Sequence, residues 1–265
     1  MSNEQLDLFS GSGKPVDRPP PSGEERPPVL WTAIGDDALI DAILEVGLVE
    51  APALIAEAGR RRLARATPAL EALCRRFAGF GIEKVVPEQW AAFEALARID
   101  GVDAARAVAR LIAGRVVQGP TLKIAVDAAA RLGAQLPPEI VLELLRHEDP
   151  QIRADACRCA RRWPPAIALL IDLLDDLQPN VVVAAACALG RLGRAEARAV
   201  LARLLRDQPS PEIIESIVAV ADEDCIVLLG RVGRRAPELA DALLDALEAI
   251  DHPHARTVAA AIRAD

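Results

Sequence analysis

Few side chains in this sequence could carry out catalysis or hold a metal. The histidines are His147, His252 and His254, and no Cys or carboxylate is spaced so as to complete a metal site with them. His252 and His254 flank Pro253, which is typical of a turn at the start of a helix. The motifs of phosphate-binding loops, zinc-binding helices and nucleophile elbows are missing. The sequence therefore predicts a protein that is not an enzyme and that uses no metal and no cofactor.

The five cysteines are unevenly spread, at positions 74, 157, 159, 187 and 225, which is not the spacing of a disulfide framework. The N-terminus lacks the apolar segment of a secretion signal. No apolar run approaches the roughly 18 residues that a membrane span requires. We therefore expect free, buried thiols, a reducing cytoplasm as the location, and no membrane partner.

The most basic stretch of the chain is the first place where phosphate could bind. Arginines recur between residues 60 and 76, with Glu57 and Glu71 as the acidic residues nearby. Guanidinium groups commonly contact the phosphates of DNA. The alternative is that these arginines form a solvated helix face. The candidate phosphate-contacting residues are Arg60, Arg61, Arg62, Arg65, Arg75 and Arg76.

Overall charge disfavours bulk binding of nucleic acid. The formal net charge is −8, of which residues 1–35 carry −2, so the remainder of the chain carries −6. An acidic body repels a phosphate backbone unless one local face is basic. We therefore expect nucleic acid to be engaged only indirectly, through a protein partner.

An apolar cluster near the N-terminus lies in a segment that has no core of its own. Its residues are Gln5, Leu6, Asp7, Leu8 and Phe9. Large apolar side chains on such a tethered segment are usually kept for a partner. Burying two of them is worth about 3–6 kcal/mol before the cost of ordering the segment, which suits a weak and reversible contact.

This pentapeptide resembles the motif by which bacterial replication and repair proteins bind the sliding clamp, Gln-Leu-(Ser/Asp)-Leu-Phe, and all five positions match. The resemblance implies that Leu8 and Phe9 fill an apolar pocket on the clamp. It also implies a lesser apolar contact by Leu6 and polar contacts by Gln5 at the pocket edge. The alternatives are that the cluster docks onto the protein's own helices or is incidental.

Residues 1–29 are predicted to be a disordered tail, and residues 30–265 a folded body. Ser10 to Gly13 form a flexible joint, and six prolines between residues 15 and 28 favour an extended chain. At roughly 3 Å per residue, about 20 such residues would span on the order of 60 Å.

The body reads as helix pairs that repeat about every 30 residues. Asp149 is a good N-cap for a helix that begins at Pro150, and Pro179 opens another helix further on. Runs of β-branched residues with a period of two are missing, so no sheet is expected. A single pair cannot bury both of its apolar faces, so the pairs must stack. One face of the helix between these two consists of Ile167, Leu170, Ile171 and Leu174.

The segment Asp149-Pro150-Gln151-Ile152-Arg153 resembles the HEAT-repeat family, in the short bacterial form also seen in phycobilin-lyase-like repeats. The next copy departs from the pattern, with Gln178 in place of the Asp and Val182 in place of the Arg. This departure predicts a weakened ladder of Asp–Arg contacts between repeats. The resemblance implies an all-α solenoid of roughly seven HEAT-like helix pairs, with a concave face that binds a protein partner.

Several boundaries can be predicted within the body. We expect one helix over residues 50–65, and a later helix whose apolar face runs from Ile152 to Trp163. Residues 79–86 are expected to form a loop before a helix that begins at Pro87. Trp31 is expected to cover the exposed end of the first repeat.

These features predict a non-enzymatic adaptor, whose body holds a protein partner and whose tail binds the sliding clamp. One alternative is a HEAT scaffold with no link to the clamp. Another is a HEAT-like alkylpurine DNA glycosylase, which by resemblance would hold a damaged nucleotide with Trp and Asp on a basic concave face. Trp90 and Trp163 would be the candidates for that role, but they are far apart in the sequence.

Overall fold

The computed structural model describes residues 31–45 and 51–264, and the regular structure in this part of the chain is entirely helical. The predicted tail, including the motif at residues 5–9, lies outside the described residues. Fifteen α-helices are present in the described part: α1 (Asp36–Ala42), α2 (Ala51–Arg60), α3 (Thr67–Arg76), α4 (Pro87–Ile99), α5 (Gly101–Ala113), α6 (Gly119–Arg131), α7 (Pro138–Leu145), α8 (Pro150–Cys159), α9 (Pro164–Asp172), α10 (Pro179–Arg191), α11 (Arg198–Asp207), α12 (Pro211–Ile217), α13 (Glu223–Arg235), α14 (Ala240–Ala249) and α15 (Pro253–Ala264).

The helices pack in two layers. The even-numbered helices from α2 to α14 form one layer, because each contacts the next even-numbered helix. In the other layer, α3 packs on α5, α7 on α9, and α11 on α13, which in turn packs on α15. Each odd-numbered helix from α1 to α13 also contacts the even-numbered helix that follows it, which makes seven pairs with α15 at the end. The predicted all-α solenoid of about seven helix pairs is confirmed.

Helix starts follow the turn chemistry of the sequence. A proline occupies the first turn of many helices, where its missing N–H has no intrahelical partner to lose. Asp149 caps α8, since its Oδ1 accepts hydrogen bonds from the backbone N–H groups of Gln151 (2.7 Å) and Ile152 (3.4 Å). Asp222 caps α13 in the same way, with its Oδ1 3.0 Å from the nitrogen of Cys225. These caps fix where successive helices turn back on the stack.

Small residues allow the even layer to pack closely. Residues 184–190 of α10 are all buried, and five of the seven are Ala or Gly. A Cβ atom added at Gly190 would lie 2.2 Å from the backbone oxygen of Ser216 on α12 and 2.7 Å from Leu201 Cδ1 on α11. No side chain fits at that distance, so Gly190 sets the spacing between α10 and its neighbours.

Two predicted boundaries are wrong. The helix expected over residues 50–65 ends at Arg60, because the backbone at Arg62 adopts a left-handed conformation (φ +52°). The apolar face expected to run from Ile152 to Trp163 stops at Cys159, where α8 ends. Trp163 instead sits just before α9, because the two prolines that follow it start a new helix.

The contact between repeats at α8 and α10 is stronger than expected. Gln178 does replace the expected aspartate, but Asp176 lies two residues earlier and takes over its role. Its Oδ1 accepts a hydrogen bond from the backbone N–H of Gln178 (2.9 Å), and its two oxygens lie 3.0 Å from Nη2 and Nε of Arg153. Arg153 also donates to the carbonyl oxygens of His147 (2.8 Å) and Glu148 (2.9 Å). The Asp–Arg contact between repeats is therefore kept, with the aspartate two residues earlier in the sequence than expected.

Candidate partner-binding surfaces

The predicted phosphate-contacting arginines lie at the N-terminal end of the body, where most of them are held by carboxylates. Arg60 Nε lies 2.7 Å from Glu57 Oε2, and Arg61 Nε lies 2.6 Å from Glu57 Oε1. These hydrogen bonds lower the pKa of Glu57 from its ordinary 4.5 to about 2, and the bond from Arg60 makes the larger contribution. Glu57 is only 6% exposed, but its hydrogen bonds to the two arginines outweigh the effect of burial and keep the carboxylate ionised.

Arg61 also ties α2 to the start of the body. Its Nη1 is 2.7 Å from Asp36 Oδ1 and 2.8 Å from the carbonyl oxygen of Ile34. Its Nη2 donates to the carbonyl oxygen of Trp31 at 2.9 Å. Trp31 is half-buried and packs against the core, as its predicted role at the end of the first repeat requires. Four of the five N–H donors of the Arg61 guanidinium are therefore used in holding this end together.

The remaining arginines of this group differ in how they are engaged. Arg65 pairs with Asp37 at 2.7 Å and Arg75 with Glu71 at 2.8 Å. Arg76 Nη1 donates to the carbonyl oxygen of Leu44 at 2.7 Å. Arg62 is exposed and forms no ion pair with the carboxylates in the described part of the chain. Contact with phosphate by these residues stays a prediction, and all but Arg62 would have to exchange a bond inside the protein for it.

A loop between α3 and α4 presents apolar side chains to solvent. Phe80 is 63% exposed and Ile82 is 71% exposed, and Val85 is also exposed. Trp90 follows on the first turn of α4 and is exposed as well. The loop itself agrees with the prediction for residues 79–86, whereas the exposure of its apolar side chains was not predicted. The available signal was a set of apolar residues beside Gly79 and Gly81, outside any helical spacing.

This loop is fastened to the start of α6. The side chain of Gln118 donates to the carbonyl oxygen of Gly79 (2.9 Å), and the backbone N–H of Val86 donates to Thr121 Oγ1 (3.0 Å). A Cβ atom at Gly119 would lie 2.3 Å from the carbonyl oxygens of Gly81 and Ile82, so only glycine lets the loop approach α6 this closely. The exposed side chains are thus displayed at fixed positions, as suits a contact with another protein.

Charged side chains on the even layer are paired with one another. On α4 and α6, Arg131 bridges to Glu94 (3.4 Å) and Asp127 (3.1 Å). Further along, Arg158 on α8 and Arg191 on α10 both approach Glu212 on α12, at 3.4 and 3.6 Å. These charges on α4 to α12 are therefore satisfied within the stack.

Asp155, on α8, is the buried member of this network. It is 1% exposed and accepts hydrogen bonds from Gln151 Nε2 (3.0 Å) and Arg158 Nη1 (2.8 Å). Burial raises the pKa of Asp155, with a smaller upward contribution from Asp127, and these outweigh the opposite effects of Gln151 and Arg158. The folded protein therefore holds a carboxylate whose ionisation is costly, in contrast to Glu57.

Of the two tryptophans considered for nucleotide binding, Trp163 borders a cleft that holds no acid. That cleft has a volume of about 300 Å³ and is lined by Leu136, Val141 and Arg161 among others, with no carboxylate among its lining residues. Trp90 is on α4, an even-layer helix, beside the apolar loop. The Trp–Asp arrangement that the glycosylase alternative requires is not formed by the residues around Trp163.

The histidines and cysteines have structural roles. His147 Nδ1 accepts a hydrogen bond from the backbone N–H of Asp149 (3.0 Å), and His252 Nδ1 accepts one from that of His254 (3.2 Å), each just before or at a helix start. All five cysteines are buried and free. Burial raises the pKa of Cys74, Cys157 and Cys159 to about 12, which keeps these thiols protonated and unreactive. Within the described residues, His, Cys, Asp and Glu form no group of three or more that could hold a metal.

Comparison with known proteins agrees with the fold. A family model of HEAT repeats matches residues 138–221, which is the part of the body that contains α7 to α12. The predicted resemblance to HEAT repeats is confirmed for this segment. No curated protein matches the chain. None of the helices described here combines the length and apolar character needed to cross a membrane.

Seven chains of solved structures match this chain. One is the crystal structure of an engineered protein, with 17% sequence identity over 87% of this chain and 98% of that one. Its TM-score of 0.31 is too low to support any inference about this protein. The HEAT-repeat match over residues 138–221 and the two-layer stack of helices identify the described part of the chain as an α-solenoid.

Proposed function

We propose that this protein is a non-enzymatic scaffold that holds a protein partner on its helical body and is tethered to the bacterial sliding clamp by residues 5–9. The observation that carries the tether is the match of Gln5-Leu6-Asp7-Leu8-Phe9 to all five positions of the clamp-binding motif. In this proposal Leu8 and Phe9 are the anchoring side chains. DNA is then engaged indirectly, through the clamp.

The HEAT-like body supports the scaffold part of the proposal. Stacked helix pairs present long surfaces on which a partner can lie across several repeats. The fixed apolar side chains at Phe80, Ile82 and Trp90 offer one such contact. The free, buried cysteines are consistent with action in the reducing cytoplasm.

The tail sequence fits a tether that needs no tight binding. The prolines between residues 15 and 28 favour an extended segment, so the motif can reach a clamp while the body is held elsewhere. A tethered site binds at a raised local concentration, so even a weak contact at residues 5–9 would keep the two proteins together.

The test measures binding of the full-length chain to a purified bacterial sliding clamp by surface plasmon resonance. We expect saturable, weak binding by the wild-type protein. The double variant Leu8→Ala/Phe9→Ala should lose roughly tenfold or more in affinity, because it removes two large apolar side chains. Unchanged binding by this variant would refute the tether.

A matched control lies within the same motif. The clamp-binding pattern accepts Ser or Asp at its third position, so Asp7→Ser should bind about as well as the wild-type protein. If Asp7→Ser loses as much affinity as the double variant, the contact does not follow the motif. A wild-type chain that does not bind the clamp at all would leave a HEAT-like scaffold without this link. Release of a modified base from alkylated DNA would instead favour the glycosylase alternative.

A further inference from the structure

A cleft runs between α11 and α13 on the odd-numbered layer. Its volume is about 650 Å³. The floor of the cleft is apolar and is formed by Ala199 and Ala202 on α11 and by Val227 and Leu228 on α13. Ala199 is exposed and the other three are half-buried, so the floor is open to solvent along both helices.

One end of the cleft carries two carboxylates, one of which is already paired with an arginine. Arg198, the first residue of α11, approaches Asp222 at 3.2 Å and donates to the carbonyl oxygen of Val220 at 2.7 Å. Asp222 is the N-cap of α13. Hydrogen bonding to Cys225 and the nearby Arg198 lower the pKa of Asp222, so it stays ionised. Asp224 lies beside it and adds a further negative charge.

The opposite end of the cleft is basic and has no such pairing. Arg206 lies eight residues after Arg198, and Arg231 lies nine residues after Asp222. At 1.5 Å of rise per residue, both are therefore about 12 Å along their helices from the acidic end. Both side chains are exposed, and neither forms an ion pair with a carboxylate in residues 31–45 or 51–264. Two guanidinium groups thus face the end of an apolar cleft, and no described carboxylate takes up their donors.

We propose that this cleft binds a short peptide segment of a partner protein, with small or branched apolar residues over the floor and a carboxylate at the end that meets Arg206 and Arg231. A cleft of about 12 Å accommodates about four residues of extended chain. The two guanidinium groups match the planar, two-oxygen geometry of a carboxylate. The inference rests on the scaffold part of the proposed function, and it assigns the chemistry of one partner contact.

A peptide fits this cleft better than a nucleic acid does. The phosphate backbone would continue from the arginines across an apolar floor and then meet Asp222 and Asp224, which repel it. A peptide needs negative charge only at one end, and its side chains can use the apolar floor. The net charge of the chain, −8, acts in the same direction.

The test uses fluorescence anisotropy with a rhodamine-labelled peptide, Ser-Ala-Val-Leu-Ala-Ser-Asp-Glu, amidated at its C-terminus, and the full-length protein at physiological ionic strength. We expect weak, saturable binding. The same peptide with Asn and Gln in place of Asp and Glu should bind at least about fivefold more weakly, because it cannot pair with the guanidinium groups. A labelled oligothymidylate serves as the nucleic-acid probe.

The decisive variant reverses both charges at the basic end. Arg206→Glu/Arg231→Glu should weaken binding of the acidic peptide by roughly tenfold or more. The matched control, Arg203→Glu/Arg234→Glu, makes the same change of net charge on the same two helices but outside the cleft lining, and should stay within about twofold of the wild-type protein. A second variant, Ala199→Phe, places a large side chain on the floor of the cleft without changing its charge. It should also weaken binding of the acidic peptide.

Three results would overturn the inference. The first is equal loss in the cleft variant and the matched control, since that indicates general charge attraction. The second is equal binding of the acidic and neutral peptides, or no binding of either. The third is binding of the oligothymidylate that is tighter than binding of the peptide and is lost in the Arg206→Glu/Arg231→Glu variant. That result would assign the cleft to nucleic acid.

The outcome can be separated from that of the proposed tether. The cleft variant should bind the sliding clamp as the wild-type protein does, and Leu8→Ala/Phe9→Ala should bind the peptide normally. If the clamp contact fails while the peptide result holds, the cleft remains a partner site on a scaffold with no clamp link. If the peptide result fails while the clamp contact holds, only the assignment of the cleft is lost.

Discussion

The arginines at the N-terminal end of the body differ from those on α11 and α13 in what surrounds them. At the N-terminal end, Arg60 and Arg61 enclose Glu57, and Arg61 makes further bonds to Asp36 and two carbonyl oxygens. On α11 and α13, Arg206 and Arg231 are exposed and have no carboxylate partner in the described part of the chain. In the stretch that is most basic in sequence, four of the six arginines, Arg60, Arg61, Arg65 and Arg75, are therefore paired with carboxylates in the fold.

Density of charge along the sequence is thus a poor guide to which charges are free. The acids that neutralise the N-terminal arginines include Asp36 and Asp37, which lie on a different helix and come about 25 residues earlier in the chain. The cleft arginines are too widely separated in sequence to look like a basic patch. The packing of α11 against α13 brings Arg206 and Arg231 to the same end of one cleft, and this proximity is visible only in the fold.

The largest expected effect concerns the stack on which both regions depend. Leu170 on α9 is fully buried, so Leu170→Asp would place an unpaired charge in the core and should cost about 4 kcal/mol or more, enough to unfold at least the central repeats. Thermal unfolding followed by circular dichroism measures this. Ala168→Asp, at an exposed position on the same helix, is the control and should melt close to the wild-type protein.

If Leu170→Asp melts normally, the placement of α9 in the core is wrong.

That placement of α9 follows from the sequence alone, as does most of the fold. The spacing of Ile167, Leu170 and Ile171, together with prolines at helix starts, was sufficient to predict stacked helix pairs. The errors came where local backbone geometry decided the result. The left-handed turn at Arg62 has no strong sequence signal, whereas the helix end before Trp163 is signalled by Pro164 and Pro165 and is overridden in the prediction by the apolar spacing.

The next effect tests whether the N-terminal arginines are structural. Arg61→Ala removes the bonds to Glu57 and Asp36 and to the carbonyl oxygens of Trp31 and Ile34. We expect a fall of several degrees in melting temperature and faster hydrogen exchange of the α1 amides, because the terminal pair has a neighbour on one side only. The control is Arg62→Ala at the exposed neighbouring position, which should change neither quantity.

The same pairing predicts a pH dependence for Glu57. Its pKa is lower in the folded protein than in the unfolded chain, so its contribution to stability is complete above its ordinary pKa of 4.5 and is lost as pH falls toward about 2. Glu57→Gln should therefore melt below the wild-type protein at neutral pH, and the gap should narrow as pH falls through that window. A gap that is constant with pH would mean that the carboxylate is not ionised in the pair.

Asp155 sharpens the comparison because it is also a buried acid beside an arginine, yet its pKa is shifted upward. A raised pKa in the folded state means that its contribution to stability is greatest at low pH and falls as pH rises above its ordinary 3.8. Asp155→Asn should therefore gain in melting temperature relative to the wild-type protein as pH rises from acid to neutral. The slope should be opposite in sign to that of Glu57→Gln.

Equal slopes for the two variants would contradict this difference between the pairs. Sequence reveals only part of it: Glu57 and Asp155 are both followed by an arginine three residues later, and Glu57 alone has a second arginine at the fourth residue. The difference lies in the number of donors that reach each carboxylate and in what surrounds it. Glu57 has two arginines, whereas Asp155 shares Arg158 with Glu212 and lies near the charge of Asp127.

The smallest expected effect on stability is at the cleft. A small effect is what distinguishes arginines kept for a partner from arginines that hold the fold together. Arg206→Ala/Arg231→Ala removes two exposed side chains that hold no carboxylate in the described structure, so the free energy of unfolding should change by no more than about 0.5 kcal/mol. Urea unfolding measures this, with Arg203→Ala/Arg234→Ala as the matched pair. A loss as large as that of Arg61→Ala would mean that the cleft arginines stabilise the fold instead of serving a partner. Unchanged stability combined with lost peptide binding would separate the two uses of arginine in this molecule: closing the end of the stack and leaving a charged site open on its side.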